Sequence, residues 1–198
     1  MKKEREAGGG GGGGPRKGHL MPEPGFVVKA RRKYGGGKVM VNCCAHRALA
    51  APIDQFGKAV GEGYDDERRS ASGLQIPMVV SEPRECAVSG DDDGGAATGT
   101  AIDVLFHPWV LERCRRDPKA QGFRGEVIEL ALAWISSERR IQCEPGRKNW
   151  KQIKSIYTGG AGEHGDQPLP LPVDVAADQD RPVEEREARD AAAAAADA

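Results

Sequence analysis

Aromatic residues are scarce: four Phe, three Tyr and three Trp make up 5% of 198 residues. That leaves few of the stacking platforms on which single-stranded nucleic acid is bound. No apolar run approaches the roughly 18 residues of a membrane span. The opening MKKEREA has neither the apolar core nor the small-residue cleavage site of a secretory signal. The five cysteines, Cys43, Cys44, Cys86, Cys114 and Cys143, form no CxxC pair and leave an odd one over. Neither a disulfide framework nor a zinc ribbon is spelled out, so reduced thiols in a soluble cytoplasmic protein are expected. Charge of one sign is lacking as well, since the formal net charge is −1.

That balance hides an asymmetry. Residues 161–198 hold ten acidic and three basic side chains, which leaves 26 basic and 20 acidic in residues 1–160. A mildly basic body favours anionic partners, and an acidic tail favours disorder. Residues 1–20 are charged and carry a polyglycine run over 8–14, too polar to offset their ordering entropy. Residues 161–198 pass from QPLPLPV to acidic and then alanine-rich sequence. The expectation is therefore one domain over 21–160 between disordered termini.

Inside those limits, Phe26-Val27-Val28 and Val39-Met40-Val41 carry the strand signal, joined by a basic loop with Gly35-Gly36-Gly37. A short helix is predicted over 53–60 and exposed loops over 61–73 and 89–99. Strands are predicted over 76–80, at its proline an edge, over 101–106, and over 141–143. Trp150 begins a further short element. Pro108 opens one helix. A second is predicted from Asp117-Pro118 to about Arg140, with Phe123, Val127, Leu130, Ala131 and Trp134 as its apolar stripe, widened by Ile128, Leu132 and Ile135. Strands and helices in this order predict an α/β domain, a small mixed β-sheet packed by helices.

No catalytic constellation is spelled out. GGGK at 35–38 is followed by a strand, not by the helix a phosphate-binding loop requires. Cys43 and Cys44 near His46 lack metal-ligand spacing, and they read as the end of a buried strand. Asp91-Asp92-Asp93 lacks the alternating ligands of a calcium loop. His107 reads as a capping residue. No metal and no cofactor is implied. What remains is basic surface: Lys29, Arg31, Arg32, Lys33 and Lys38 in one cluster, and Arg147, Lys148, Lys151 and Lys154 in another. Lys29 and Lys38 converge across the hairpin, where charge-assisted bonds would hold an acidic or phosphorylated peptide. RNA is the rival ligand, with only Tyr34 and Trp150 close to the basic residues in sequence.

PEPGFVVKARRKYGGGKVMVNCC resembles the opening motif of the PIH domain, the family of proteins interacting with heat-shock protein 90. Ile76-Pro77-Met78 with Ser81-Glu82-Pro83-Arg84, then AIDVLFHP, then FRGEVIELALAW are similar to its next blocks in order. Asn149-Trp150-Lys151 with Ile153-Lys154 and Tyr157-Thr158-Gly159-Gly160 resemble the closing segment of kintoun-type members. The resemblance implies a non-enzymatic adaptor that links clients to heat-shock protein 90 and the RuvB-like ATPase complex. In kintoun-type members the task is cytoplasmic preassembly of axonemal dynein arms, and in others snoRNP or kinase assembly. It also implies a phosphopeptide site at Lys29 and Lys38. The arginine that completes this site in one branch falls at Ser155, where Lys154 is the nearest cation. The loop after SEPR, basic in that branch, is here the acidic SGDDDGG.

Overall fold

The computed structural model describes residues 16–60, 71–89, 96–116, 122–161 and 165–175. The loop at Asp91-Asp92-Asp93, most of the loop over 61–73 and the helix start at Asp117-Pro118 lie outside them. In chain order the elements are β1 (Arg16–Leu20), β2 (Glu23–Arg31), β3 (Lys38–Ala45), β4 (Ile53–Asp54), β5 (Leu74–Gln75), β6 (Met78–Val80), β7 (Arg84–Ser89), β8 (Ala96–Phe106), α1 (Pro108–Arg115), α2 (Phe123–Arg139), β9 (Trp150–Ile153) and β10 (Leu171–Val175). The main unit is Leu20–Leu171. Its mixed sheet runs β6-β8-β3-β2-β9, with β7 also paired to β8. β3 lies parallel to β8, and the other pairs are antiparallel.

Strand alternation sorts the side chains onto two faces. One face carries Val28 and Ala30 of β2, Val39, Val41 and Cys43 of β3, and Ile102, Val104 and Phe106 of β8, all buried under the two helices. The other face carries Val27, Met40, Ala101, Cys86 and Val88, a smaller core with Ile153 packed against it. In α2 the buried positions are Phe123, Gly125, Val127, Ile128, Ala131, Leu132 and Ile135, a helical stripe against the sheet. Leu130 and Trp134, expected in that stripe, stand at its margin and are 36% and 44% exposed. Sequence spacing alone admits both phases; the sheet takes the one centred on Ile128 and Ile135.

Other expectations shift for local reasons. Residues 53–60 are not a helix. The Asp54 carboxylate accepts from Phe56 N and Lys58 N, both at 2.9 Å, and so takes donors that a helical turn would use. The helix expected from Pro118 begins at Phe123, with Gly122 as its N-cap. Residues 141–143 make a single bridge, Cys143 to Arg32, not a strand. β8 starts at Ala96, inside the expected loop, because its small residues let β7 close over it. A Cβ at Gly99 would sit 2.2 Å from Val88 Cγ2. The expected edge strand holds as β6, whose outer end Arg139 of α2 anchors by donating to Val80 O at 2.6 Å and Ser81 O at 2.9 Å.

Among the described residues, β1 and β10 pair as a separate two-stranded sheet. Order also continues past residue 160: Ala161 bridges Gln167, and Leu171 is buried. Among the described residues, no helix is long and apolar enough to cross a membrane.

The phase of α2 is testable by urea unfolding. Ile135→Ala is expected to cost about 2–5 kcal/mol through the cavity it leaves. Leu130→Ala, at the margin, is expected to cost less than about 1 kcal/mol. Equal losses would contradict the observed packing.

Candidate functional site: a basic face on the sheet

The helix-free face changes character along its length. At one end it is a polar network centred on Asp103, 1% exposed in the middle of β8. Asp103 Oδ1 accepts from Asn42 Nδ2 and from Arg84 Nη2, each at 2.7 Å, and Oδ2 accepts from Tyr157 OH at 2.7 Å. Its backbone N donates to Ser81 Oγ at 2.8 Å. Asn42 then exchanges bonds with the backbone of Thr158, at 2.9 and 3.0 Å, and Arg84 Nε donates to Gly159 O. Burial alone would lower the Arg84 pKa, but the bond and charge of Asp103 outweigh it and raise it. Burial, with the Asp103 carboxylate, pushes the Tyr157 phenol up. A guanidinium and a phenol so held stay protonated, and neither is a base. The network ties residues 157–159 to β3, β7 and β8.

At the other end stand the cations. Cα partners across neighbouring strands place their side chains on one face. Lys29 pairs with Met40 on one side and with Lys151 on the other, and Arg31 pairs with Lys38. Lys29, Arg31, Lys38 and Lys151 therefore share the helix-free face, and two of the cross-strand pairs are of like charge. Such pairs cost about 0.2–1 kcal/mol each. Between β2 and β3, Gly35, Gly36 and Gly37 all take positive φ, which turns the chain tightly enough for Arg31 and Lys38 to face each other.

The structure brings Lys29 and Lys38 together diagonally, as the hairpin predicts. It places Lys154 elsewhere. Lys154 is exposed beyond the end of β9, in a groove with Arg124, Arg147 and Phe26. The cation that joins Lys29, Arg31 and Lys38 on the basic face is Lys151, directly opposite Lys29. Sequence could place Lys151 in a basic cluster but not beside β2, because that pairing joins residues far apart in the chain.

The thiols are not poised for chemistry. Cys43 and Cys44 are buried at 1% and 0% exposure, and burial pushes both thiols up. Half-buried Cys143 is raised, mainly by burial, to about 11. All five cysteines are free. His107 caps α1, its Nδ1 accepting from Trp109 N at 3.2 Å, and burial lowers its pKa. Among the described residues, no group of His, Cys, Asp and Glu could hold a metal. Trp150 is buried at 4% exposure and donates from Nε1 to Glu129, so it offers no face to a nucleobase.

A parallel strand pair inside an otherwise antiparallel sheet, one face covered by helices and the other graded from buried network to cations, defines a binding module. The family model described as the PIH1 N-terminal domain matches residues 14–164, and the chain belongs to that family of co-chaperone adaptors. It is a protein-interaction fold and not a known enzyme class. Among solved structures, the N-terminal domain of yeast PIH1p is similar, with a TM-score of 0.57 at 16% identity over 80% of this chain and 93% of that one. A comparison with curated proteins gave no match.

Truncating Asp103 to Ala would strand the Arg84 guanidinium and the Tyr157 phenol. It is expected to cost about 3–5 kcal/mol in urea unfolding, while Lys29→Ala stays within about 0.5 kcal/mol. A midpoint for Asp103→Ala equal to that of the parent would contradict the assignment. Thiol labelling at neutral pH adds a second check. Cys43 and Cys44 are expected to react only on unfolding, and prompt labelling of the native protein would revive a thiol chemistry.

Proposed function

We propose that this chain is a co-chaperone adaptor whose basic sheet face receives an acidic or phosphorylated peptide from a partner. The observation that carries this is the like-charge pairing of Lys29 with Lys151 and of Arg31 with Lys38 on one helix-free face. Four cations gathered on one face make it electrostatically suited to a phosphate or a run of carboxylates. Met40, Val27 and Ile153 beside the cations supply apolar floor for the peptide's neighbouring side chains.

In this proposal the partners are heat-shock protein 90, the RuvB-like ATPase complex and client subunits, and the task is cytoplasmic preassembly of axonemal dynein arms. Supporting it are membership of the PIH1 family and the kintoun-type closing segment, which forms β9 and the network residues Tyr157 and Thr158. Lys29 and Lys38 act as the primary phosphate contacts, with Lys151 as the third.

Titration with an acidic phosphoserine peptide tests the face. Charge-assisted bonds of about 1.5–3 kcal/mol each predict that Lys29→Ala/Lys38→Ala weakens binding by at least about tenfold. Lys151→Ala is expected to weaken it too, and the unphosphorylated peptide to bind less tightly. Unchanged affinity in the double variant would remove this role.

A further inference from the structure

A second feature lies at the sheet's edge. β9 ends the order β6-β8-β3-β2-β9, and among the described residues no strand pairs with its outer side. Alternate residues of an edge strand aim N–H and C=O groups outward, a template for one more strand. Beside that edge opens a groove of about 610 Å³. Its lining includes Arg124, Arg147, Lys151 and Lys154 as cations and Ile153 and Ile156 as apolar surface, with no carboxylate. Ile156 is 63% exposed.

Two of the cations are held in place. The Arg147 guanidinium stacks 4.1 Å from the Trp150 ring centroid. Arg124, from the first turn of α2, donates from Nη1 to Gln152 Oε1 at 3.0 Å, which links the helix to the edge strand. Ordering these groups in advance lowers the entropy a ligand must offset.

We propose that the outer edge of β9 and this groove form a second docking site, which takes an extended acidic segment of a partner protein by strand addition. Its backbone would pair with β9, its acidic side chains would meet Arg124, Arg147 and Lys154, and its apolar ones would cover Ile153 and Ile156. Lysine on a short edge strand blocks indiscriminate pairing. Here the same charge selects a strand of opposite sign. Peptide is favoured over RNA because the groove's aromatic ring, Trp150, is buried beneath Arg147 and leaves no stacking surface. The groove shares Lys151 and Ile153 with the helix-free face but not Lys29 or Lys38, so variants at Arg124 and Lys154 test it apart from the hairpin.

A labelled peptide of about ten residues alternating Glu and Val tests it by titration against the full chain. Arg124→Gln/Lys154→Gln is expected to weaken binding by at least about tenfold, and Lys29→Ala/Lys38→Ala to weaken it less. N-methylation of alternate peptide amides should abolish binding, and a Lys/Val peptide should not bind. The variant's amide NMR spectrum establishes that it is folded. Three results would each overturn the proposal: unchanged affinity in the groove variant, an N-methylated peptide that binds equally well, and a U-rich RNA that binds through these residues when the acidic peptide does not.

Discussion

A buried carboxylate holds this domain's second face together. Asp103 sits at 1% exposure among apolar strand residues, a position that costs several kcal/mol unless every lone pair is answered. Asn42, Arg84, Tyr157 and the Ser81 hydroxyl lie around it, from three separate parts of the chain. The bonds run onward to the backbone of Thr158 and Gly159. Together they fasten the segment after β9 across the sheet. Without that fastening, one end of the helix-free face would be open apolar surface.

The lysine end of the same face depends on the opposite condition. There like charges face one another across strand pairs, Lys29 opposite Lys151 and Arg31 opposite Lys38. At the network end each cation has its anion inside the protein, and at the lysine end two cross-strand partners are both cations. Asp103 is committed to Arg84 and Tyr157, and Cys43, Cys44, Cys86 and Cys114 are buried.

Much of this was legible in the sequence where the cause is local. Alternating apolar residues in β2 and β3, three glycines between them, and His107-Pro108 at a strand-to-helix junction each report on their own neighbourhood. The pairing of Lys29 with Lys38 across a hairpin is of that kind. The placement of Lys151 opposite Lys29 is not, because β9 reaches β2 only after the whole sheet has formed. Asp103 does carry a sequence signal: a lone acid inside AIDVLF, an apolar strand, demands a buried partner, and Arg84 supplies it. The phase of α2 was ambiguous for another reason. Leu130 and Trp134 are as apolar as the residues that pack, and only the sheet's position decides between them.

Lys154 shows how sequence neighbours divide in space. It lies three positions from Lys151 and shares a groove with it, but it stands beyond the end of β9 at Ile153 and has no pairing with β2. The most direct test of the adaptor role follows the lysine ammonium groups themselves by 15N–1H NMR as a phosphoserine peptide is added. The account predicts that the ammonium signals of Lys29, Lys38 and Lys151 shift together and saturably, while that of Lys58, away from this face, stays in place. Movement of Lys58 alone, or no movement at Lys29, Lys38 and Lys151, would contradict it.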